Sequence, residues 1–184
     1  MRNIFIDCGA NLGVILGRFI RDLPDYAFYA LEPNAELIPF IHDQVASTQS
    51  TAPVEILNSA AWTHNGTIDL YLGHHESSTV MPGKVVPPVY DQQIDYDAPV
   101  QVPALDFSAW LRRTATPDDH VVVKMDIEGA EYPVLTKMLA DGTVGLISTL
   151  YVEWHHDRFP AMRRTDHDKL VDAVSAHTDV RDWD

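Results

Sequence analysis

The stretch at residues 3–13, NIFIDCGANLG, places a short apolar run directly before a turn that contains two glycines. Apolar positions then recur at helical spacing over residues 12–23. This pattern predicts a buried strand, a tight turn and a helix. Gly9 would let the backbone of the turn approach a ligand closely, and Gly13 would let the start of the helix pack against the strand. The sequence therefore predicts a strand–helix unit whose turn faces a ligand.

The same strand–helix unit recurs along the chain. Residues 27–31 form a second apolar run, closed by Glu32 and Pro33, and Asn34 is predicted to cap the helix that follows. Further strands are predicted at residues 54–62, 121–125 and 149–153, and further helices at residues 106–113, 130–139 and 166–176. The β-branched run at 121–125 is expected at the centre of the sheet. This alternation predicts a Rossmann-like, doubly wound α/β fold with a mostly parallel sheet.

An insertion interrupts the alternation after the third strand. Asn65 and Gly66 form a typical tight-turn pair, so residues 67–72 are predicted to return as the second strand of an inserted β-hairpin. Residues 73–99 are rich in Pro, Ser, His and Asp, which indicates a long loop over the active-site edge. Residues 100–104 are predicted to form one more short strand, and Asp106 is expected to cap the next helix.

Length and composition are typical of one globular domain that spans residues 1–184. The chain is 46% hydrophobic and 22% charged, and no repeat or linker divides it. Its single cysteine, Cys8, cannot form an internal disulfide and is interpreted as an inert buried thiol. No secretory leader and no apolar run of about 18 residues is found. We therefore expect a cytoplasmic protein with no membrane partner.

The net charge argues against nucleic acid as a partner. A formal charge of −14 would repel a phosphate backbone, whereas nucleic-acid binding normally relies on a basic patch. Four late cations, at Arg158, Arg163, Arg164 and Lys169, are interleaved with aspartates, which is typical of a solvated mixed-charge surface. The expected partner is a small molecule.

Polar side chains follow five of the predicted strands. They are Asp7, Glu32, Asn58, Asp126 and Glu153. Because ligands of parallel α/β sheets bind at the carboxyl ends of the strands, we expect these side chains to line one rim.

Two of these carboxylates indicate which cofactor binds there. Glu32 follows Asp7 by 25 residues, at the strand end where a carboxylate can accept hydrogen bonds from both hydroxyls of a ribose. Asp7 would repel a pyrophosphate but suits an amino group and a sulfonium, and the glycine spacing departs from the dinucleotide fingerprint. The sequence therefore favours S-adenosyl-L-methionine over NAD. The predicted cofactor-binding residues are Asp7, Gly9, Asn11, Gly13, Glu32, Asn58, Ser59 and Ala60.

A second group of polar residues, at 124–131, follows the strand expected at the sheet centre. Lys124 lies two residues before Asp126 and on the same face, and a lysine in a central strand is costly unless it is paired. The carboxylates that follow also suit the amino end of a helix. We predict that Asp126 is a general base, with His155 as the alternative, and that Lys124 orients or polarises the methyl acceptor.

Other functions of these residues stay open at this point. Asp126, Glu128, Glu153 and His155 could instead hold a divalent metal such as Mg²⁺, which would lower the pKa of an acceptor hydroxyl, although Glu128 could simply face its own helix amides. In the long loop, the residues that could touch substrate are His74, His75, Ser77, Ser78 and Thr79. The alternative is that these loop residues are solvated and have no contact with substrate.

Five segments together resemble the FkbM family of methyltransferases. They are residues 5–13, 31–34, 58–61, 123–131 and 151–155. The segment at 124–131, KMDIEGAE, is similar to the Lys-Asp-Glu-Gly-Glu signature of that family. The resemblance implies a class I methyltransferase fold and S-adenosylmethionine-dependent O-methylation of a hydroxyl on a sugar or natural-product small molecule.

Two departures from the family pattern affect the expected pocket. The chain begins a few residues before the first strand, and the customary carboxyl-terminal β-hairpin is reduced to residues 178–183 or missing. This shortened end implies a pocket that is open or completed by a second copy, which favours a homodimer. The rival functions are a non-catalytic S-adenosylmethionine- or nucleotide-binding module that regulates a partner, and an NAD-dependent oxidoreductase.

Overall fold

The computed structural model describes residues 1–74, 76–87 and 92–183. The strands are β1 (Asn3–Cys8), β2 (Ala27–Leu31), β3 (Val54–Leu57), β4 (Ala60–Trp62), β5 (Gly66–Leu70), β6 (Val100–Asp106), β7 (His120–Met125), β8 (Thr149–Val152) and β9 (Asp179–Asp182). The helices are α1 (Val14–Asp22), α2 (Ile38–Ser47), α3 (Phe107–Thr114), α4 (Glu131–Asp141) and α5 (Arg164–Ser175), with short 3-10 helices at Val144–Leu146 and His156–Arg158. None of the helices in the described ranges has the length and apolarity needed to span a membrane.

Six strands form the main sheet, in the order β3-β2-β1-β7-β8-β9, and every neighbouring pair is parallel. The strand order reverses between β1 and β7, where the register pairs Asp7 with Lys124. In doubly wound sheets, ligands bind in the crevice at this reversal. The predicted Rossmann-like α/β fold is therefore confirmed, and the fold brings the carboxyl ends of β1, β2 and β7 together.

The central strands bury side chains on both faces. Successive side chains of a strand point to opposite faces, so Ile6 of β1 packs on the side of α3 and α4 while Phe5 packs on the side of α1 and α2. Val123 and Val122 of β7 divide in the same way. Continuous apolar runs are typical of strands that are covered on both faces. The polar residues that follow these runs therefore lie at the carboxyl edge of the sheet.

The predicted β-hairpin after the third strand is wrong. The strand predicted at residues 54–62 breaks after Leu57, and the chain then leaves the main sheet. β4 and β5 do not pair, because β6 lies between them in a separate three-stranded sheet, parallel to β4 and antiparallel to β5. The strand expected at residues 100–104 is β6, and it pairs with both β4 and β5, which were predicted to pair with each other. Periodicity located these strands but did not determine their pairing.

Helix caps agree with expectation at one position and differ at another. Asp106 caps α3, since its Oδ1 accepts a hydrogen bond from the amide of Ala109 at 2.9 Å. Asn34 does not cap α2: its Oδ1 accepts from the amide of Glu36 at 3.1 Å, and the helix begins only at Ile38. The carboxyl-terminal hairpin, which was expected to be reduced to residues 178–183 or missing, is reduced within the described residues to the single strand β9, parallel to β8.

Two glycines of the first turn allow close approaches, each to a different neighbour. Gly9 has φ +81°, and a Cβ atom there would lie 1.9 Å from the carbonyl oxygen of Asp126. Gly13 has φ +77°, and its Cβ would lie 2.9 Å from the Cα of Ile41. Gly13 therefore lets the start of α1 approach α2, and not the strand as predicted.

We expect Gly9→Ala to destabilise the protein far more than Gly142→Ala. Both glycines adopt left-handed φ, at +81° and +70°, but a Cβ at Gly142 meets nothing within 4 Å. The left-handed conformation alone costs an alanine about 1–2 kcal/mol, whereas the clash with Asp126 adds about 1–3 kcal/mol or more. Urea unfolding followed by circular dichroism measures both losses, and equal losses would mean that the close approach is unimportant.

Candidate active site

A cavity of about 490 Å³ opens at the carboxyl ends of β1, β2 and β7. Its walls come from the first turn, the end of β2, the start of β4, residues 78–80 of the long loop, and the segment after β7. Six ionisable side chains line it: Glu32, Glu76, Asp126, Glu128, Glu153 and Lys124. With five carboxylates and one ammonium group, this wall attracts a cationic or hydrogen-bond-donating ligand and repels an anion.

Glu32 is held in a fixed orientation at the end of β2. Its side chain is buried, its Oε1 accepts from the amide of Asn34 at 2.9 Å, and its Oε2 accepts from the amide of Asn11 at 2.9 Å. Burial raises the pKa of Glu32, although these two amide hydrogen bonds act in the opposite direction. A carboxylate offers about four acceptor positions, so Glu32 can still accept hydrogen bonds from two hydroxyls of a ligand in the cavity.

Of the three residues after β3 that were predicted to bind the cofactor, 58–60, only one lies at the cavity surface. Ala60 is buried and lines the cavity. Asn58 instead supports the wall, because its Nδ2 donates to the carbonyl oxygens of Glu32 and Pro33 at 2.9 and 3.0 Å. The hydroxyl of Ser59 donates to the carbonyl oxygen of Pro103 at 3.1 Å. Small residues thus face the cavity while polar ones connect strands behind it.

The turn residues that were predicted to bind the cofactor also divide into two groups. Gly9 and Asn11 line the cavity, but Gly13 lies against α2 and does not. Asp7 is fully buried below the cavity wall, and its Oδ1 lies 3.3 Å from the ammonium of Lys124. The structure therefore places Asp7 as the counterion of Lys124, not at the cavity surface where a ligand contact was predicted.

Lys124 is paired as the sequence required. Its Nζ lies 3.3 Å from Asp7 Oδ1, 3.3 Å from Asp126 Oδ2, and 3.0 Å from the carbonyl oxygen of Gly9. Burial alone would lower the pKa of Lys124, but the carboxylates of Asp7 and Asp126 outweigh burial and raise it. The ammonium thus donates a hydrogen bond to the carbonyl oxygen of Gly9 and forms ion pairs with the two carboxylates. Lys124 also lines the cavity, and its ion pair with Asp126 helps to fix the position of that carboxylate.

His155, the alternative base, lies between two carboxylates. Its Nδ1 is 2.5 Å from Glu131 Oε1 and its Nε2 is 3.0 Å from Glu128 Oε2. Burial lowers the pKa of His155, but hydrogen bonds to Glu128 and Glu131 more than offset this and raise its pKa to about 10. A raised pKa makes the ring of His155 less available as a proton acceptor, which favours Asp126 as the general base.

The long loop contributes a cation that the sequence interpretation missed. Lys84 is buried, its ammonium pairs with the carboxylate of Glu128, and its Nζ donates to the carbonyl oxygen of Ser77 at 3.2 Å. Thr79 donates to the backbone carbonyl of Glu128 at 2.6 Å. Glu128 therefore faces the loop and His155 instead of its own helix amides. The available signal was that residues 73–99 contain no other lysine or arginine.

The loop residues expected near substrate have different positions. Ser78 and Thr79 line the main cavity, and Ser77 lines a smaller one beside it. His74 lines neither, and His75 lies outside the described residues. Glu131, which the sequence analysis placed at the amino end of the helix but gave no role in the site, is fully buried at the start of α4.

Three of the four candidate metal ligands converge, and the fourth lies beside them. Asp126, Glu128 and His155 each offer a ligand atom, and these atoms lie within 4.8 Å of one another. Glu153 Oε1 is 3.6 Å from Nε2 of His155. Burial and the nearby carboxylate of Asp126 raise the pKa of Glu153. The arrangement can accept a proton, bind a cation, or do both.

Comparison with known proteins gives one match. A family model described as Methyltransferase FkbM domain matches residues 7–183, which is nearly the whole chain. No curated protein matches the chain, and no solved structure matches it.

We expect Lys124→Met to destabilise the protein by about 3–5 kcal/mol, because it leaves the buried carboxylate of Asp7 without a counterion. The double variant Asp7→Asn/Lys124→Met removes both charges and should recover part of the loss. Lys137→Met, which removes a part-exposed lysine paired with Asp141, should change stability little. Chemical denaturation measures all three, and a double variant no more stable than Lys124→Met would contradict the assignment.

Proposed function

The chain belongs to the FkbM methyltransferase family, and from that premise we propose that it transfers a methyl group from S-adenosylmethionine to a hydroxyl of a small molecule, such as a sugar or natural product. The observation that carries the cofactor assignment is the charge of the cavity, whose lining has five carboxylates and one lysine. S-adenosylmethionine carries a net positive charge at neutral pH, whereas the pyrophosphate of NAD is doubly negative. The cavity electrostatics favour the first ligand and oppose the second.

The shape of the cavity suits the same ligand. Its volume of about 490 Å³ lies within the range of pockets that enclose drug-sized ligands, roughly 300–1,000 Å³. The remaining acceptor positions of Glu32 are suited to the two ribose hydroxyls. Gly9 and Asn11 present the turn to the ligand, and the side chains of Ala60 and Ala61 leave space for a flat base. When bound, S-adenosylmethionine supplies an electrophilic methyl group on its sulfonium.

Asp126 is the proposed general base. Its carboxylate lines the cavity, remains partly exposed, and is held by Lys124 at 3.3 Å. The hydroxyl of the acceptor gives its proton to Asp126 as its oxygen forms the new bond to the methyl carbon, and the carbon–sulfur bond breaks. A general base of this kind contributes about 10²- to 10⁴-fold. Positioning of the two reactants supplies much of the remaining acceleration.

The carboxylates at the reaction edge also restrict the acceptor. Asp126, Glu128 and Glu153 surround the place where a hydroxyl must approach Asp126. An acceptor with a phosphate or carboxylate at this point would meet like charges, whereas neutral hydroxyls can donate hydrogen bonds to these side chains. We therefore propose a neutral polyhydroxyl or cationic acceptor.

Calorimetric titration with S-adenosylmethionine, its demethylated product and NAD tests the cofactor assignment. We expect the first two ligands to bind and Glu32→Ala to weaken both by about 100-fold or more, because two charge-assisted hydrogen bonds are lost. Glu36→Ala removes the same charge from an exposed position nearby and should bind normally. Preference for NAD, or equal binding by Glu32→Ala, would contradict the proposal.

We expect Asp126→Asn to lower kcat by about 10²- to 10⁴-fold while the Kd of S-adenosylmethionine changes only a few-fold. Formation of the demethylated cofactor, measured across a set of sugar and natural-product acceptors, gives the rate. Asp22→Asn, on the exposed side of α1, is the control. A wild-type kcat in Asp126→Asn would exclude this residue as the base, and binding without turnover of any acceptor would favour a non-catalytic module.

A further inference from the structure

A smaller cavity, of about 40 Å³, adjoins the main one and shares Glu76, Glu128 and Glu153 with it. Its other walls include the two basic side chains Lys84 and Arg158, together with His155. The ligand atoms of Asp126, Glu128 and His155 lie at the junction of the two cavities. A species bound at this junction would face the reaction edge of the main cavity.

The spacing of these atoms matches the coordination sphere of a small divalent cation. Ligands at about 2.1 Å from an octahedral ion lie about 3.0 Å apart when adjacent and about 4.2 Å apart when opposite. Nε2 of His155 and Oε2 of Glu128 are 3.0 Å apart. The ligand atoms of Asp126, Glu128 and His155 all lie within 4.8 Å of one another, and Nε2 of His155 is 4.0 Å from Oδ1 of Asp126. The partly exposed side chain of Asp126 can make the small shift that brings the three atoms into one coordination sphere. Glu153 Oε1 is a fourth donor, 3.6 Å from Nε2 of His155.

An independent observation comes from the fully buried carboxylate of Glu131. Its Oε1 holds Nδ1 of His155, so that Nε2 faces the carboxylates. Histidines that bind metals almost always donate their other ring N–H to a carboxylate or carbonyl, which fixes the ring. The second oxygen of Glu131 has no hydrogen-bond partner, and a buried carboxylate with so few partners is costly. This cost is explained if Glu131 orients a metal ligand.

The side chains at the junction of the two cavities also carry an excess of negative charge. Four carboxylates surround the junction: Asp126, Glu128, Glu131 and Glu153. Lys84 pairs with Glu128, and the charge of Lys124 is shared between Asp7 and Asp126. The carboxylates of the group therefore outnumber the lysine ammonium groups that pair with them, which favours binding of a cation.

We propose that Asp126, Glu128 and His155, with Glu153, form a binding site for Mn²⁺ or Mg²⁺, and that Glu131 positions His155 within it. Carboxylate oxygens are the preferred ligands of these two ions, and one imidazole suits Mn²⁺ as well. Binding requires the ammonium of Lys84 to leave Glu128. The role of the ion rests on the proposed function: it would bind the acceptor hydroxyl and lower its pKa.

The test is titration of the full, EDTA-treated and dialysed chain with Mn²⁺, followed by the electron paramagnetic resonance signal of the free hexaaqua ion. We expect one site per chain with a Kd below about 1 mM, and competition by Mg²⁺. Glu128→Gln and His155→Gln should each weaken binding by about 10-fold or more. Glu131→Gln should weaken it by about 10- to 100-fold, although this residue does not touch the ion.

Two further variants distinguish binding of Mn²⁺ at a specific site from non-specific attraction of Mn²⁺ to an acidic surface. Glu55→Gln removes an exposed carboxylate on β3 and should bind Mn²⁺ as the wild type does. Lys84→Gln removes the competing ammonium and should bind at least as tightly. The thermal midpoint of each variant without metal shows whether it is folded. Absence of a site below about 5 mM Mn²⁺, equal binding by Glu128→Gln and Glu131→Gln, or weaker binding by Lys84→Gln would each overturn the proposal.

The metal titration needs no methyl donor, so it can fail independently of the proposed function. If S-adenosylmethionine binds in a Glu32-dependent way and Mn²⁺ does not bind, the methyltransferase proposal stands and the metal site is rejected. If Mn²⁺ binds at Glu128 and His155 but S-adenosylmethionine does not bind, the metal site stands and its role in methyl transfer is rejected.

Discussion

The buried ammonium of Lys124 is the interaction on which the rest of the site depends. It lies in the central strand β7, where an unpaired charge would be strongly destabilising, and it is surrounded by Asp7, Asp126 and the carbonyl oxygen of Gly9. These partners belong to the end of β1, the segment after β7 and the first turn. One charge therefore connects the three segments that form the floor of the cavity. The need to pair the buried ammonium of Lys124 therefore helps to fix both the position of Asp126 and the course of the turn.

Apart from Lys124 and its partners, the site has an excess of negative charge. Contacts with one of these carboxylate residues, Glu128, hold the long loop in place. Lys84 and Thr79 both contact Glu128, one at the carboxylate and the other at the backbone carbonyl. The amide of Val85 also donates to the carbonyl oxygen of Arg158 at 2.7 Å. Because Glu128 lies in the wall of both cavities, any ligand that takes its carboxylate also releases one of the contacts that hold the loop. Occupancy of the site and the position of the loop are therefore coupled.

The sequence was sufficient to predict a mostly parallel sheet with residues 121–125 near its centre, because buried parallel strands are continuous apolar runs. It did not predict the order of the strands. It also predicted that Lys124 needs a partner and that Glu32 and Asp126 reach one rim. It could not predict that β6 separates β4 from β5, since local periodicity carries no information about pairing across 30–44 residues of chain. Asp7 was misplaced because a strand-end carboxylate can face either a ligand or a neighbouring strand. Lys84 was missed because an irregular loop has no period that fixes its direction.

The carboxylates of the cavity divide into two groups with different consequences for the proposed reaction. Glu32 is placed for a ribose, which methyl donor and demethylated product share, so this contact contributes equally to both and leaves the chemical step unchanged. Asp126, Glu128 and Glu153 lie at the reaction edge, where the sulfonium charge disappears as the methyl group leaves. Their Coulomb attraction therefore acts on the donor and is lost in the product. In the proposed reaction, a cavity with this distribution of charge would bind the cofactor through one end and discriminate donor from product through the other, which would favour release of the product after each transfer.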